Sequence, residues 1–478
     1  VLVASTPELL AKDKGDLGDS GKVASDQSIQ VEYSGKPLEA RMQCYWKVRV
    51  WTSQSDVRDQ RSEVRKKEEC SRWSEASRWT MGLLQPADPS SPGSAEASWQ
   101  AKWIGLKQPA PAPAGRTPVG PGPLQIVSAS YQSASGDAAR DVSGLLASRV
   151  KDGTLLIVAS NNELGGDPAD GVAKKLVVEY ELDGSRGAMT VAENEQLAIN
   201  LDSYSEEESK WSRQGYLRKG FTLDSTVRRA TVYATALGLY ELRLNGQRVG
   251  DHLLAPEWTD YHTRVQVQTY DVTPQLRSGD NAIGATLGNG WYCGGWQYWE
   301  KEIRAMYGTD PSLLVQLEIE FADGRRQTLV TDDSWRGTTD GPLRFTGIYE
   351  GVTYDARKEM PGWDAPGFDD SKWLALQARG ADMKVGKLVW QRGQPIRATR
   401  ELKPVAVTEV KPGVHVFAFD QNMVGHCRVK FRGKAGETVE LQHGEMRNPD
   451  GTVFLGNLLV VSNHRIQLDR YTFRSDAE

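Results

Sequence analysis

Short runs in which apolar and polar residues alternate, each ended by a turn-forming dipeptide, are the feature that most constrains the fold of this chain. The run at 315–321 (VQLEIEF) is followed by Asp323-Gly324, and the run at 240–244 (YELRL) is followed by Asn245-Gly246. Successive side chains of a strand point to opposite faces, and these dipeptides tolerate the positive φ of a tight hairpin turn. Each run therefore predicts a β-hairpin.

The same pattern recurs along the chain, whereas a sustained 3.6-residue period is rare. The run at 176–180 (LVVEY) precedes Asp183-Gly184, and a strand-like run through Val439 precedes a turn at 448–451 (NPDG). The only helix-like stretches, around residues 7–13 and 62–69, are short. Many short strands with regular turns predict an all-β, multidomain chain of β-sandwich and jelly-roll units.

Length and composition predict where these units begin and end. At roughly 100 to 200 residues per domain, 478 residues suggest three or four domains. The stretch at 108–123 is rich in Pro, Ala and Gly, the stretch at 203–212 is polar, and a third break falls near 378–387. We therefore predict a first domain at 1–107, a linker at 108–123, a small inserted β-domain at 124–201, a jelly roll at 211–380 and a β-sandwich at 388–478.

Charge and hydropathy exclude two classes of partner. The chain has 58 Lys plus Arg against 63 Asp plus Glu, a net charge of −5, so it lacks the basic footprint of a nucleic-acid-binding protein. No apolar run reaches the roughly 18 residues that a membrane-spanning helix needs. The four cysteines, Cys44, Cys70, Cys293 and Cys427, allow three pairings, and the sequence does not choose among them.

Several long motifs carry a resemblance to a known family. The segments YLRKGFTL, LYELRLNGQRVGDHLLAPEWTDYHTRVQVQTYDVT, GNGWYCGGW and IYEGVTYDARKEMPGW occur in the same order as in the N-terminal, non-catalytic region of bacterial α-L-rhamnosidases. Upstream, CYWKVRVW and RWSEASRWT resemble that family's leading fibronectin-like domain, here N-terminally truncated, and VFAFDQNMVGHCRVKF resembles the β-sandwich before its catalytic barrel. The stretch at 124–201 resembles instead a small β-domain found at the end of certain DnaJ-like proteins.

The resemblance implies a function for the parent protein. Members hydrolyse terminal α-L-rhamnosides with inversion, using two carboxylates carried on a helical (α/α) barrel. Because this chain shows no long amphipathic helices, we expect no catalytic residues in it and expect it to pack on a C-terminal barrel. The expected partners are rhamnose-containing glycans, and the expected location is extracellular or periplasmic. The alternative is a stand-alone carbohydrate-binding or adhesion protein without enzymatic activity.

Aromatic and polar residues in turn-rich segments of the third unit form a candidate sugar-binding site. Sugars pack their C–H faces on aromatic rings and need fixed donors and acceptors for their hydroxyl groups. Some members of the family bind rhamnose in this jelly roll with a Ca²⁺ ion nearby, which makes Asp260 a candidate ligand. The alternative is that the aromatic side chains only seal the domain. The candidate residues are Trp258, Asp260, Asn289, Trp291, Tyr292, Trp296, Asp355 and Arg357.

Two repeated acidic motifs have a structural interpretation. Asp332-Asp333-Ser334 and Asp369-Asp370-Ser371 each precede a tryptophan. Aspartate side chains often accept a hydrogen bond from the backbone N–H two residues later, so these motifs predict turns rather than a catalytic pair.

Overall fold

The structure is a computed structural model that describes residues 1–25, 27, 31–54, 67–83, 99–106, 124–150, 155–182, 185–199, 214–298, 301–380, 383–454 and 467–475. The chain divides into two compact units, Val1–Gln100 and Ala101–Glu478. Strands dominate both units, which confirms the predicted all-β class. In these ranges no helix has both the length and the apolar character to cross a membrane.

The described residues of the first unit form a four-stranded sheet and a two-stranded ribbon. The sheet has the order β2-β1-β3-β6, and β4 pairs with β5. The helix-like stretch near residue 7 is the helix α1 (Pro7–Ala11). The Thr6 side chain caps its N-terminus, and Pro7 occupies its first turn. The strands are β1 (Leu2–Ala4), β2 (Gly18–Asp19), β3 (Gln43–Lys47), β4 (Trp51–Gln54), β5 (Lys67–Cys70) and β6 (Ser77–Thr80).

The helix-like stretch at 62–69 is a strand, not a helix, in its described part. Lys67–Cys70 is strand β5, paired with Trp51–Gln54 in register from Trp51↔Cys70 to Gln54↔Lys67. The charged residues of this segment have good helix propensity, but cross-strand pairing overrides that local preference. The remaining residues of the predicted helix, at 62–66, lie outside the described part of the chain.

A cation–aromatic ladder holds the edge of this unit together. The guanidinium of Arg49 lies over the rings of both Trp51 and Trp73, at 4.9 and 4.4 Å from their centroids, and Lys47 lies 5.0 Å from the Trp73 centroid. The Ser74 hydroxyl accepts a hydrogen bond from the Val48 backbone N–H. These contacts add to the backbone hydrogen bonds from Ser74 to Val48 and from Ser71 to Val50, at 2.8 and 2.9 Å.

The second unit begins with β7 (Ile104–Gly105) and a small module that has its own core. Its four-stranded sheet has the order β12-β11-β8-β9, with β10 and β13 paired separately. Tyr131, Leu146 and Leu176 are fully buried in this core. The hairpin predicted at 176–180 is confirmed as β11 and β12, although the turn residues 183–184 lie outside the described ranges. The elements are β8 (Gln125–Ser133), β9 (Ala139–Asp141), α2 (Ser143–Arg149), β10 (Leu155–Val158), β11 (Lys174–Leu182), β12 (Ser185–Ala192) and β13 (Gln196–Ile199).

Two larger sheets follow and enclose the main hydrophobic core. One has the order β17-β16-β19-β14-β24-β27, and the other has the order β28-β7-β22-β15-β18-β29, with β23 added to β22. Strand β7 lies before the small module in sequence and pairs here with β22. The strands are β14 (Gly215–Leu223), β15 (Val227–Leu237), β16 (Leu239–Leu244), β17 (Gln247–Arg248), β18 (Arg264–Asp271), β19 (Gly279–Gly288), β20 (Gly295–Tyr298), β21 (Lys301–Arg304), β22 (Ser312–Phe321), β23 (Arg326–Val330), β24 (Arg336–Thr338), β25 (Leu343–Gly347), β26 (Gly351–Asp355), β27 (Leu374–Ala375), β28 (Gln377–Ala378) and β29 (Lys387–Trp390).

Both hairpins predicted in this region are confirmed. Strands β22 and β23 are joined by a turn in which Gly324 has φ +87°, and Asn245 and Gly246 have φ +51° and +81° between β16 and β17. Positive φ at both central residues is the geometry that a two-residue hairpin turn requires. The predicted Asx turns are also present, since Asp332 and Asp369 accept from the N–H groups of Ser334 and Ser371 at 2.9 and 3.0 Å.

The C-terminal part joins the chain through a mixed sheet. Its order is β25-β26-β35-β32, in which β35 runs parallel to β26. Two further ribbons, β30-β31 and β33-β34, complete this part, and the predicted turn at 448–451 connects the second ribbon. The predicted domain boundaries stay predictions. The strands are β30 (Ala406–Lys411), β31 (Val414–Ala418), β32 (Thr438–Gln442), β33 (Met446–Arg447), β34 (Val453–Phe454) and β35 (Leu468–Thr472).

Candidate functional site

A strained loop between β17 and β18 presents Trp258 to solvent. Leu254 and Glu257 are non-glycine residues with positive φ, at +53° and +70°, and the Trp258 side chain is 48% exposed. Such conformations cost roughly 1–3 kcal/mol each and persist only where surrounding contacts enforce them. The loop therefore holds an exposed indole in a conformation that its own residues do not prefer.

The second indole of the site is supplied by the short helix α3 (Gly290–Cys293), which follows β19. The rings of Trp258 and Trp291 are nearly parallel, with an interplanar angle of 14° and centroids 6.3 Å apart. Gly290 has φ +51°, and a Cβ at that position would lie 2.6 Å from Leu239 Cγ, so only glycine fits this turn. Trp291 is partly buried against the core, whereas Trp258 is 48% exposed.

Asn289 lies at the start of this turn and is 3% exposed. Within the described ranges, its Oδ1 atom is buried without a hydrogen-bond donor. A buried acceptor left without a partner costs about 1–3 kcal/mol. The structure thus places a buried acceptor two residues before Trp291.

Tyr292 is part of the domain core. It is 6% exposed, and its ring meets that of Tyr261 edge-on at 5.3 Å and lies parallel to that of Tyr307 at 6.5 Å. Burial raises the pKa of Tyr292 to about 12, so its hydroxyl stays protonated at neutral pH. Tyr292 therefore packs inside the domain, as the alternative interpretation of the aromatic cluster expects.

Asp260 organises its own loop. Its carboxylate accepts hydrogen bonds from Thr263 Oγ1 at 2.6 Å and from the His262 N–H at 3.1 Å, and the bond from Thr263 lowers the pKa of Asp260. A calcium ion takes six to eight oxygen ligands. Across the part of the chain that the structure describes, no group of three or more His, Cys, Asp or Glu side chains converges. Both carboxylate oxygens of Asp260 already accept hydrogen bonds within its own loop.

Asp355 and Arg357 lie at the end of β26, away in sequence from the loop of Trp258, and are bound to each other. Arg357 donates from Nε and Nη2 to the two carboxylate oxygens of Asp355, both at 2.8 Å, and this pair lowers the pKa of Asp355. Asp355 ends β26 and caps a 3-10 turn at Ala356–Lys358. The pair therefore has a turn-forming role. The side chain of Trp296 lies outside the described part of the structure.

The sequence gives no indication of the loop that presents Trp258. Neither Leu254 nor Glu257 is a residue type that signals positive φ. The glutamine and arginine that hold this loop lie more than 120 residues later, at Gln391 and Arg397. Only a structure brings these segments together.

Comparisons with known proteins assign three segments of the chain. Residues 225–400 match the alpha-L-rhamnosidase N-terminal domain, residues 1–85 match the Rha78A-like N-terminal immunoglobulin domain, and residues 408–476 match the bacterial alpha-L-rhamnosidase concanavalin-like domain. An alpha-L-rhamnosidase of Streptomyces avermitilis is 35% identical over 97% of this chain and 49% of its own length. One from Formosa agariphila is 30% identical over 96% of this chain and 37% of its own length.

Solved structures show the same similarity. The crystal structure of the Streptomyces avermitilis alpha-L-rhamnosidase complexed with L-rhamnose superposes with a TM-score of 0.65 at 32% identity, over 100% of this chain and 50% of that one. The alpha-L-rhamnosidase from Dictyoglumus thermophilum superposes with a TM-score of 0.62 at 27% identity, over 99% of this chain and 40% of that one. The chain thus spans half or less of the length of these relatives.

Proposed function

The chain belongs to the bacterial α-L-rhamnosidase family, whose N-terminal all-β part it represents, and we propose that it binds rhamnose-containing glycans through Trp258 and Trp291. In this proposal its remaining surfaces support a catalytic barrel that hydrolyses terminal α-L-rhamnosides with inversion. The chain itself supplies recognition and scaffolding, and the catalytic carboxylates belong to the barrel.

The parallel arrangement of Trp258 and Trp291 is the observation that carries the recognition proposal. A deoxyhexose such as rhamnose has an apolar face that packs on an indole ring, and its hydroxyl groups need fixed partners. In this proposal the sugar packs on the half-exposed ring of Trp258, which lies parallel to the ring of Trp291, and the Asn289 Oδ1 accepts from a hydroxyl group. Asp355 and Arg357, which are bound to each other, have no role in this proposal.

Exposure of the C-terminal part supports the scaffolding proposal. Between residues 401 and 450 only Val416 is buried, although the hairpin β30-β31 carries several large apolar side chains. A two-stranded hairpin is marginally stable in water unless something covers its apolar face. We propose that the catalytic barrel of the parent protein covers part of this surface. The exposed apolar residues between 401 and 450 are Val405, Val407, Val414, Phe417, Met423, Val424 and Met446.

Calorimetric titration with L-rhamnose tests the recognition proposal. The expected affinity is millimolar to micromolar, about 4–8 kcal/mol, and Trp258→Ala should weaken it at least tenfold. The matched control is Phe417→Ala, which removes an equally exposed aromatic side chain far along the sequence and should leave the affinity unchanged. Equal affinities in the wild type and Trp258→Ala, with both folded, would overturn the proposal, as would absence of binding by the wild type.

A further inference from the structure

We infer that residues 391–397, which follow β29 and are called the strap below, position Trp258 for sugar binding. The inference rests on the proposed function, because it concerns the same indole. Its basis is a set of side-chain and backbone hydrogen bonds that tie the strap to the loop carrying Trp258. No residue of the strap belongs to the candidate sugar-binding residues chosen from the sequence.

The first tie is made to the residue immediately before Trp258. Gln391 Nε2 donates to Glu257 Oε1 at 2.7 Å, and the Ile396 N–H donates to the same oxygen at 3.3 Å. Glu257 is also the residue held at φ +70°. The Glu257 N–H donates to the Leu254 carbonyl at 2.8 Å within the loop, and the two donors of the strap hold the Glu257 side chain. An unconstrained glutamate leaves this φ region, so these contacts together hold the residue that precedes the indole.

The second tie holds the opposite end of the loop. Arg397 Nε donates to both carboxylate oxygens of Asp251 at 2.8 Å, and Arg397 Nη2 lies 3.0 Å from His252 Nε2. The Leu253 N–H donates to the Ile396 carbonyl at 2.8 Å. The strap therefore contacts the loop before and after the strained Leu254, so the loop cannot relax at one end alone.

A layer of amides fixes the strap to the sheet beneath it. Gln268 Nε2 donates to Gln391 Oε1 at 3.2 Å and to the Pro256 carbonyl at 3.4 Å, and the Gln391 N–H donates to the Val267 carbonyl at 3.2 Å. These bonds continue the parallel pairing of β18 with β29. Gln391 thus lies between a rigid strand and the strained loop, and its side chain uses a donor and an acceptor at once.

A charge-exchange pair of variants tests the inference in the full chain. Gln391→Glu places a carboxylate against Glu257 and should speed hydrogen exchange of the Leu253 amide at least tenfold and weaken L-rhamnose binding at least threefold. In the double variant Glu257→Gln with Gln391→Glu, the amide at position 257 donates to the carboxylate at position 391. The Leu253 exchange rate and the L-rhamnose affinity should then both return to within twofold of the wild type.

The matched control is Gln275→Leu, which removes a side-chain amide bond to the Arg248 carbonyl at 3.0 Å and should change neither value. An unchanged Leu253 exchange rate in Gln391→Glu would contradict the inference that the strap holds the loop. Faster exchange with unchanged rhamnose affinity would overturn its positioning role. Absence of rhamnose binding by the wild type would overturn the proposed function, while the exchange rates of the variants would still decide whether the strap exists.

Discussion

The Nε2 atom of His443 lies 2.8 Å from Oδ2 of Asp469, and Oδ1 of the same carboxylate accepts a hydrogen bond from the Val352 N–H at 2.8 Å. His443 directly follows β32, Asp469 belongs to β35 and Val352 belongs to β26. One carboxylate therefore links three segments of the mixed sheet. This link attaches the C-terminal part to the hairpin β25-β26, although backbone pairing there is short.

The stability of this sheet should depend on pH through His443. The bond to Asp469 raises the pKa of His443 above its ordinary value of 6.5. A raised pKa means that the folded state binds the proton more tightly, so the stabilisation is fully present below pH 6.5 and is lost as the pH rises through the raised pKa. Amide exchange in β35, corrected for intrinsic rates, should be slower at pH 6 than at pH 8.

Substituting His443→Asn should remove that difference and cost about 1.5 kcal/mol at low pH, because a charge-assisted hydrogen bond is lost. His415→Asn is the control, since His415 is exposed on β31. A pH dependence that persists in His443→Asn would show that another group is responsible.

A glycine in β26 should be irreplaceable for the parallel pairing with β35. Gly351 has φ +94°, and a Cβ there would lie 2.5 Å from the Leu468 carbonyl oxygen. Gly324 has a similar φ of +87°, but nothing lies within 4 Å of its Cβ position. Gly324→Ala should cost about 1–2 kcal/mol through backbone strain alone, whereas Gly351→Ala should cost more and expose the β35 amides to exchange. Equal losses in urea unfolding would contradict the steric argument.

The contrast between local and distant structure explains which predictions held. The hairpins β16-β17 and β22-β23 followed from alternation and a turn dipeptide, because both signals lie within about ten residues. The helix at Ser143–Arg149 was missed, since seven residues barely show a helical period. The parallel pairing of β26 with β35 joins Thr353 to Arg470, and no local pattern encodes a partner so distant.

For the candidate site too, the sequence shows residue types, whereas their contacts depend on the fold. Residue type and turn-rich context brought Trp258, Trp291 and Asn289 to attention, and the structure places the two rings parallel and buries Asn289 Oδ1. Their role in sugar binding stays a prediction. Asp260 and Asp355 attracted attention for the same reason, yet their carboxylates accept hydrogen bonds from groups two or three residues away. A sequence shows that a carboxylate is present, but only the folded geometry shows whether its oxygens are already used.

The small module at Leu124–Ile199 should depend strongly on one buried cation. Lys174 has 5% of its side chain exposed and forms ion pairs with Asp167 at 3.0 Å and Glu193 at 3.1 Å. Lys174→Met leaves two carboxylates without their cation and should destabilise the module more than the loss of an exposed ion pair does. The exposed pair Arg149–Glu163 is the control, and Arg149→Ala should cost less than about 1 kcal/mol. Thermal unfolding of the two variants measures both values, and similar losses would contradict the burial argument.

Two buried asparagines, one in β19 and one directly after it, should respond in opposite ways to substitution by leucine. Asn281 donates to the carbonyls of Arg277 and Gly279 at 2.7 and 2.9 Å, so Asn281→Leu should cost about 3 kcal/mol or more. Asn289 Oδ1 has no donor among the described residues, so Asn289→Leu should leave the free energy of unfolding unchanged or raise it by about 1 kcal/mol. If that oxygen accepts from a sugar hydroxyl, L-rhamnose affinity should fall at least threefold in Asn289→Leu. A large loss of stability would instead show that Asn289 has a structural role.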